Sequence, residues 1–142
     1  MRLLHIAKLP ILVGGVLLSI CVLGAVLIRS WGTDKKRMLL NLNHAEILSV
    51  CRNMISNRRN YRNDNHGRSD VILLNPHIAP LEESVPYIIR ETKPSYISIS
   101  ADQVQICYSA LPRIYLVAFA EGTRQHGVTQ LVDGLWLSDG KD

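Results

Sequence analysis

Cysteine and histidine, which supply most metal ligands, nucleophiles and bases, are few and scattered in this sequence. Its three cysteines and five histidines show neither the C-x-x-C spacing of zinc and redox sites nor the H-E-x-x-H spacing of zinc peptidases. There is also no G-x-S-x-G nucleophile elbow and no glycine-rich phosphate loop. These absences disfavour the common enzyme classes, and we expect no cofactor and no bound metal.

Aromatic residues are also scarce, with one phenylalanine, two tryptophans and five tyrosines. Domains that bind nucleic acid combine basic residues with aromatic platforms or a recognisable reading motif. Neither accompanies the arginines in the middle of the chain, which are Arg52, Arg58, Arg59 and Arg62. We therefore do not expect a nucleic-acid partner.

Charge is absent from residues 10–28, which read PILVGGVLLSICVLGAVLI. A helix of about 20 apolar residues matches the hydrocarbon core of a bilayer. Lys8 and Arg29 bound the run, and Trp31 lies just beyond it, where interfacial aromatics are common. We expect an uncleaved, single-pass signal anchor over residues 9–29, after a short flank at residues 1–8.

Three alternatives compete with the anchor. A cleaved signal peptide has a shorter apolar region and a small-residue cleavage site, which the sequence around Ser30 does not offer. A lipoprotein signal needs a small residue before its cysteine, whereas Ile20 precedes Cys21. A buried soluble helix would have a polar face. Small residues four apart, Gly15 with Ser19 and Cys21 with Ala25, suggest that other membrane-protein subunits pack on the anchor.

Basic residues are concentrated beside the apolar run. The net charge is +2 over residues 1–28, +6 over residues 29–62 and −4 over residues 63–142. Residues 30–42 therefore form a basic juxtamembrane segment, in which Lys35, Lys36 and Arg37 are expected to contact anionic lipid. We expect Arg58, Arg59 and Arg62 to matter little for that contact.

The side of the membrane on which the domain lies is indicated by two conflicting signals. The excess of lysine and arginine after the anchor favours a cytoplasmic domain. A short positive N-terminus joined directly to an apolar helix is usual for signal anchors that export the domain attached to them. We expect an extracytoplasmic domain in the cell membrane.

An amphipathic helix is predicted over residues 43–60. Asn43 is a candidate N-cap, and Glu46 three positions later completes a weak capping box. The helical stripe that should face the core consists of Ile47, Leu48, Cys51, Met54 and Ile55. Gly32, before this helix, is expected to break or loosen the helix that leaves the membrane. Residues 57–70 are predicted to form a loop.

A second, short helix is predicted over residues 84–92, with Ser84 as N-cap and Pro86 in the first turn. Before it, residues 71–74 are apolar and form either a strand or a single turn. Two alternating segments, residues 96–100 and 104–108, predict a hairpin. Residues 113–119 predict a central strand that is covered on both faces. Residues 130–137 predict one last strand, with Gly134 at a bulge.

The predicted fold class is α+β. After the transmembrane helix, residues 43–142 are expected to form a small soluble domain of two helices packed on a three- or four-stranded antiparallel sheet. We expect a fragment of residues 38–142 to fold alone. Cys51 and Cys107 could pair outside the cytoplasm, but two separate buried thiols are expected.

The predicted functional residues form one candidate polar site near the last strands: Glu121, Arg124, His126 and Asp133. A polar loop on a rigid hairpin is a common place for a site. The expected function is a membrane-tethered interaction or accessory module of a membrane complex. The alternative is a small membrane-bound hydrolase that uses residues 121–133.

Overall fold

A computed structural model describes residues 8–63, 70–78, 80–81, 83–110, 113–122 and 129–138. The first element, helix α1 (Lys8–Leu40), contains the whole apolar run and continues through the basic segment. The predicted break at Gly32 is wrong, because the helix passes through this residue without interruption. A glycine inside a helix costs only about 1 kcal/mol relative to alanine, and packing of the helix end outweighs that cost.

The two ends of α1 have different surroundings. The rest of the described chain does not bury its apolar part. Among the described helices, α1 is the one that is long and apolar enough to cross a membrane. Its last turn enters the folded domain, where Leu39 is fully buried and Met38 packs beside it. One helix therefore serves as both the apolar segment and a core element.

Helix α2 (His44–Ser56) confirms the first predicted soluble helix, although it ends earlier than expected. The Asn43 side chain accepts a hydrogen bond from the backbone N–H of Glu46 at 3.3 Å. The Asn43 amide donates to the Glu46 carboxylate at 3.2 Å. The buried residues of α2 are the five of the predicted stripe. A 3-10 helix (Arg58–Asn60) opens the predicted loop, and residues 64–69 lie outside the described part.

The sheet is antiparallel and has the order β1-β2-β3-β4-β6-β5. Its strands are β1 (Ile72–Leu74), β2 (Tyr96–Ile99), β3 (Gln103–Ala110), β4 (Arg113–Phe119), β5 (Thr129–Val132) and β6 (Leu135–Ser138). Strands β2 and β3 are the predicted hairpin. Strand β4 is central, and Leu116 and Val117, on opposite faces, are both fully buried.

The fold is α+β as predicted, but the described sheet has six strands rather than three or four. Residues 130–137 are not one strand. They contain the β5–β6 hairpin, whose tight turn is Asp133-Gly134. Gly134 has φ +88°, a conformation that glycine adopts readily and other residues rarely. The bulge lies between Gln130 and Val132 instead.

Helix α3 (Tyr87–Glu91) is shorter than predicted. Ser84 is not its N-cap, because Pro86 holds that position in an extended conformation. Val85 and Ile89 are buried. Lys93 then adopts φ +50°, and Pro94 prevents the helix from continuing.

One face of the sheet carries the main core, which α2, α3 and the end of α1 cover. The opposite face carries a smaller cluster of Val117, Phe119 and Trp136. Cys51 belongs to the main core, whereas the register places Cys107 opposite Tyr115 on the other face. The two thiols are not joined in a disulfide, as predicted.

Cys51 is expected to resist thiol reagents as long as the domain is folded. Burial raises the pKa of its thiol to about 12, so about one molecule in 10,000 carries the reactive thiolate at pH 8. Peptide mass mapping after brief N-ethylmaleimide treatment at pH 8 should find Cys51 unmodified in the native chain. The same treatment in denaturant should modify it fully. Rapid native labelling would contradict the buried position.

Candidate functional site

Two regions of the structure contain the predicted site residues. The first lies where α1 enters the domain and holds Lys35, Lys36 and Arg37. The second lies at one end of the sheet and holds Glu121 and Asp133. Arg124 and His126, the other two members of the predicted polar site, lie outside the described residues.

Lys35 connects α1 to two distant parts of the domain. Its ammonium group donates a hydrogen bond to the backbone carbonyl oxygen of Thr92 at 2.6 Å. The same group lies 5.1 Å from the centroid of the Tyr108 ring, within the range of a cation–π contact. Lys35 thus joins α1 to the C-terminal end of α3 and to β3.

The groups beneath the Lys35 ammonium are buried and hydrogen bonded. The Thr92 hydroxyl donates to the Ile89 carbonyl oxygen at 2.6 Å and lies 3.1 Å from the Tyr108 hydroxyl. Burial raises the pKa of Tyr108, so this phenol stays neutral at physiological pH. Because Tyr108 is neutral, it holds the Lys35 ammonium only through the π face of its ring. The Thr92 carbonyl oxygen beside the ring accepts the hydrogen bond.

Lys35 is also close to a second lysine. Desolvation lowers its pKa, and the positive charge of Lys93 lowers it further. A depressed pKa for a lysine means that the folded state disfavours its charged form, so this effect costs stability at neutral pH. The cost declines as the pH rises above the folded pKa and is gone only above the pKa of the unfolded chain. The hydrogen bond to Thr92 and the Tyr108 ring act in the opposite direction.

The three predicted lipid contacts do not share one face of α1. At 3.6 residues per turn, Arg37 points about 200° away from Lys35, and its side chain is exposed. Lys36 is half-buried. The Lys35 ammonium already makes contacts within the chain. No local sequence pattern could indicate these contacts, because Thr92 is 57 residues away.

The second region brings together the turns at one end of the sheet. The backbone N–H of Phe119 donates to the Gly134 carbonyl oxygen at 2.9 Å, and that of Ala120 donates to the Asp102 carbonyl oxygen at 2.8 Å. Glu121 and Asp133, which flank these contacts, are exposed. The structure therefore places these two members of the predicted site at the same sheet end.

Arg52 is the charged residue at this end that the sequence did not single out as functional. It lies on α2, and its Nε donates to the Phe119 carbonyl oxygen at 3.2 Å. A Cβ atom on Gly134 would lie 2.9 Å from its Nη2 atom. The sequence does indicate that Arg52 lies at the edge of the buried stripe of α2. A long side chain at that position can reach over the end of the sheet.

Within the described part of the chain, no group of three or more His, Cys, Asp or Glu residues could hold a metal ion. The hydrolase alternative stays a prediction, because two of its four residues are not described.

Comparison with known protein families, with curated proteins and with solved structures finds no match to the chain. Function is therefore inferred from the geometry of α1 and the domain.

Proposed function

We propose that this chain is a single-pass membrane protein whose domain is held at a fixed orientation beside the bilayer, as an interaction or accessory module of a membrane complex. The observation that carries the proposal is the continuity of α1. The helix leaves the apolar segment and reaches the buried Leu39 without a loop. A flexible tether would need a linker at this place.

The exposed surface of the apolar segment supports insertion in a membrane. Its large side chains, such as Leu18 and Leu23, are 69% and 62% exposed in this chain. Water would make such a surface unfavourable, whereas lipid or a neighbouring helix would cover it. The Ser19 hydroxyl donates to the Gly15 carbonyl oxygen at 2.9 Å, so no polar group of this pair needs a partner in lipid.

The same continuity favours an anchor over a cleaved signal peptide. A signal peptidase would have to cut within α1, just before the turns that hold Lys35 and Leu39 in the domain. If the helix is not cleaved, the turns that contain Lys35 and Leu39 stay joined to the apolar segment.

Membrane insertion predicts that the expressed chain stays in the pellet after extraction with alkaline carbonate. The matched control carries Leu18→Lys and Leu23→Lys, each of which costs about 3 kcal/mol at the centre of a membrane helix. The control should appear in the supernatant. Wild-type chain in the supernatant would refute the proposal.

The accessory role is tested with the same membranes. Insertion of one alanine after Thr33 rotates the domain by about 100° around the anchor, and insertion of four returns it to within about 40°. If orientation matters, chemical crosslinks to other subunits should be lost with one residue and recovered with four. Crosslinks that do not change with the insertion would contradict a fixed orientation. Protease added from either side of the membrane tests the predicted extracytoplasmic location.

A further inference from the structure

Basic side chains from two distant segments meet where α1 enters the domain. Lys35 comes from α1, and Lys93 lies just after the end of α3. The hydrogen bond from Lys35 to the Thr92 carbonyl oxygen brings the two lysines together. We call Lys35 and Lys93 the exit surface. The same two segments also carry Lys36, Arg37 and Arg90 against only Asp34 and Glu91, so positive charge is in excess.

The continuous helix fixes the distance of the exit surface from the hydrocarbon core of the membrane. Lys35 comes seven residues after Ile28, the last residue of the apolar run, or about 10 Å along the axis. Side chains on a helix lean toward its N-terminus, which here is the direction of the membrane. The headgroup layer extends roughly 5–8 Å beyond the hydrocarbon. The Lys35 ammonium and its partner Thr92 therefore lie at the outer edge of the headgroups.

Two features of the exit surface are unfavourable in the chain by itself. The positive charges of Lys35 and Lys93 are close enough to repel each other. Lys93 has φ +50°, a conformation that normally favours glycine or asparagine. A bound anion would offset the repulsion between the two lysines.

We propose that the exit surface binds the phosphate group of an anionic phospholipid in the bilayer that holds α1. This inference rests on the proposed membrane anchor and extends the predicted lipid contact to Lys93, which lies more than 50 residues further along the chain. The occupant is a lipid headgroup because the anchor fixes the surface within its reach. Basic residues so placed are each worth about a fivefold change in lipid affinity.

The test uses the full chain in phosphatidylcholine vesicles that contain a trace of spin-labelled phosphatidylglycerol or phosphatidylcholine. Electron paramagnetic resonance gives the preference of the protein for the anionic lipid. Lys93→Asn should reduce that preference roughly two- to fivefold. Asparagine tolerates positive φ, so the variant should fold, which circular dichroism would verify.

Two matched variants and one competitor complete the experiment. Lys93→Arg should keep the preference, and so should Arg59→Gln, which removes an exposed charge from the 3-10 helix. Inorganic phosphate at constant ionic strength should leave the preference unchanged. An unaffected Lys93→Asn variant, an equal loss in Arg59→Gln, or displacement by phosphate would overturn lipid binding at this surface. Carbonate extraction reports separately whether the anchor itself is in the membrane.

Discussion

Replacing Leu39 with alanine is expected to lower the free energy of unfolding by about 2–4 kcal/mol, the usual cost of removing a fully buried leucine side chain. Leu39 is 0% exposed and belongs to the main core, although it lies on the same helix as the apolar segment. The loss should decrease the melting temperature of the domain by roughly 10–20 °C. The result would show that the end of α1 is part of the folded domain.

The adjacent residue provides the control. Leu40 is 42% exposed, so Leu40→Ala removes the same atoms from a position with less contact and should cost below about 1 kcal/mol. Both variants are melted as full chains in the same detergent, with circular dichroism as the readout. Equal losses for the two variants would show that the last turn of α1 does not bury Leu39 in the core.

Replacing Gly134 with alanine is expected to cost about 2–3 kcal/mol, from two separate effects. The first is backbone strain, since φ is +88° and a left-handed conformation costs a non-glycine residue roughly 1–2 kcal/mol. The second is steric. The new Cβ would lie 2.9 Å from Nη2 of Arg52, which would have to move and strain its hydrogen bond to Phe119.

Gly122→Ala separates these two effects. Gly122 also has a positive φ, +68°, but a Cβ there would meet no described atom within 4 Å. It should therefore show only the strain, and denaturant unfolding should find Gly134→Ala more destabilised by about 1 kcal/mol. Identical midpoints for the two variants would mean that Arg52 does not restrict the turn.

Local sequence patterns predicted the elements whose signal is contained in neighbouring residues. The stripe of α2 predicted its buried face because a 3.6-residue period repeats over three turns. The hairpin of β2 and β3 was predicted from a period of two on both sides of a short turn. The cap at Asn43 was equally local, since its partner Glu46 is three residues away.

The error in strand number had a local cause as well. Residues 130–137 alternate well enough to be read as one strand, but Asp-Gly between alternating segments is among the strongest signals for a two-residue hairpin. The turn at Asp133-Gly134 outweighs the apparent continuity. The break predicted at Gly32 failed for the opposite reason, because packing of Leu39 overrides a weak local preference.

The candidate sites were harder to predict because their partners are distant in the sequence. The contact between Lys35 and Thr92 joins residues 57 positions apart, and that between Arg52 and Phe119 joins residues 67 apart. No periodicity carries such information. A lysine beside an apolar segment predicts a lipid contact, but its additional contact with the Thr92 carbonyl oxygen becomes visible only in the folded domain. The fragment of residues 38–142 would keep Leu39 but lose Lys35, so a start near residue 30 preserves both.

Under the proposed membrane insertion, the unbroken α1 also couples the domain to the thickness of the bilayer. A helix of 33 residues is about 50 Å long and acts as a lever that is fixed to the domain at one end. Membrane helices tilt more when the hydrocarbon layer becomes thinner. A change in tilt of about 10° would displace the domain end by several ångströms. Bilayer thickness would thereby change the position of the domain relative to the membrane surface.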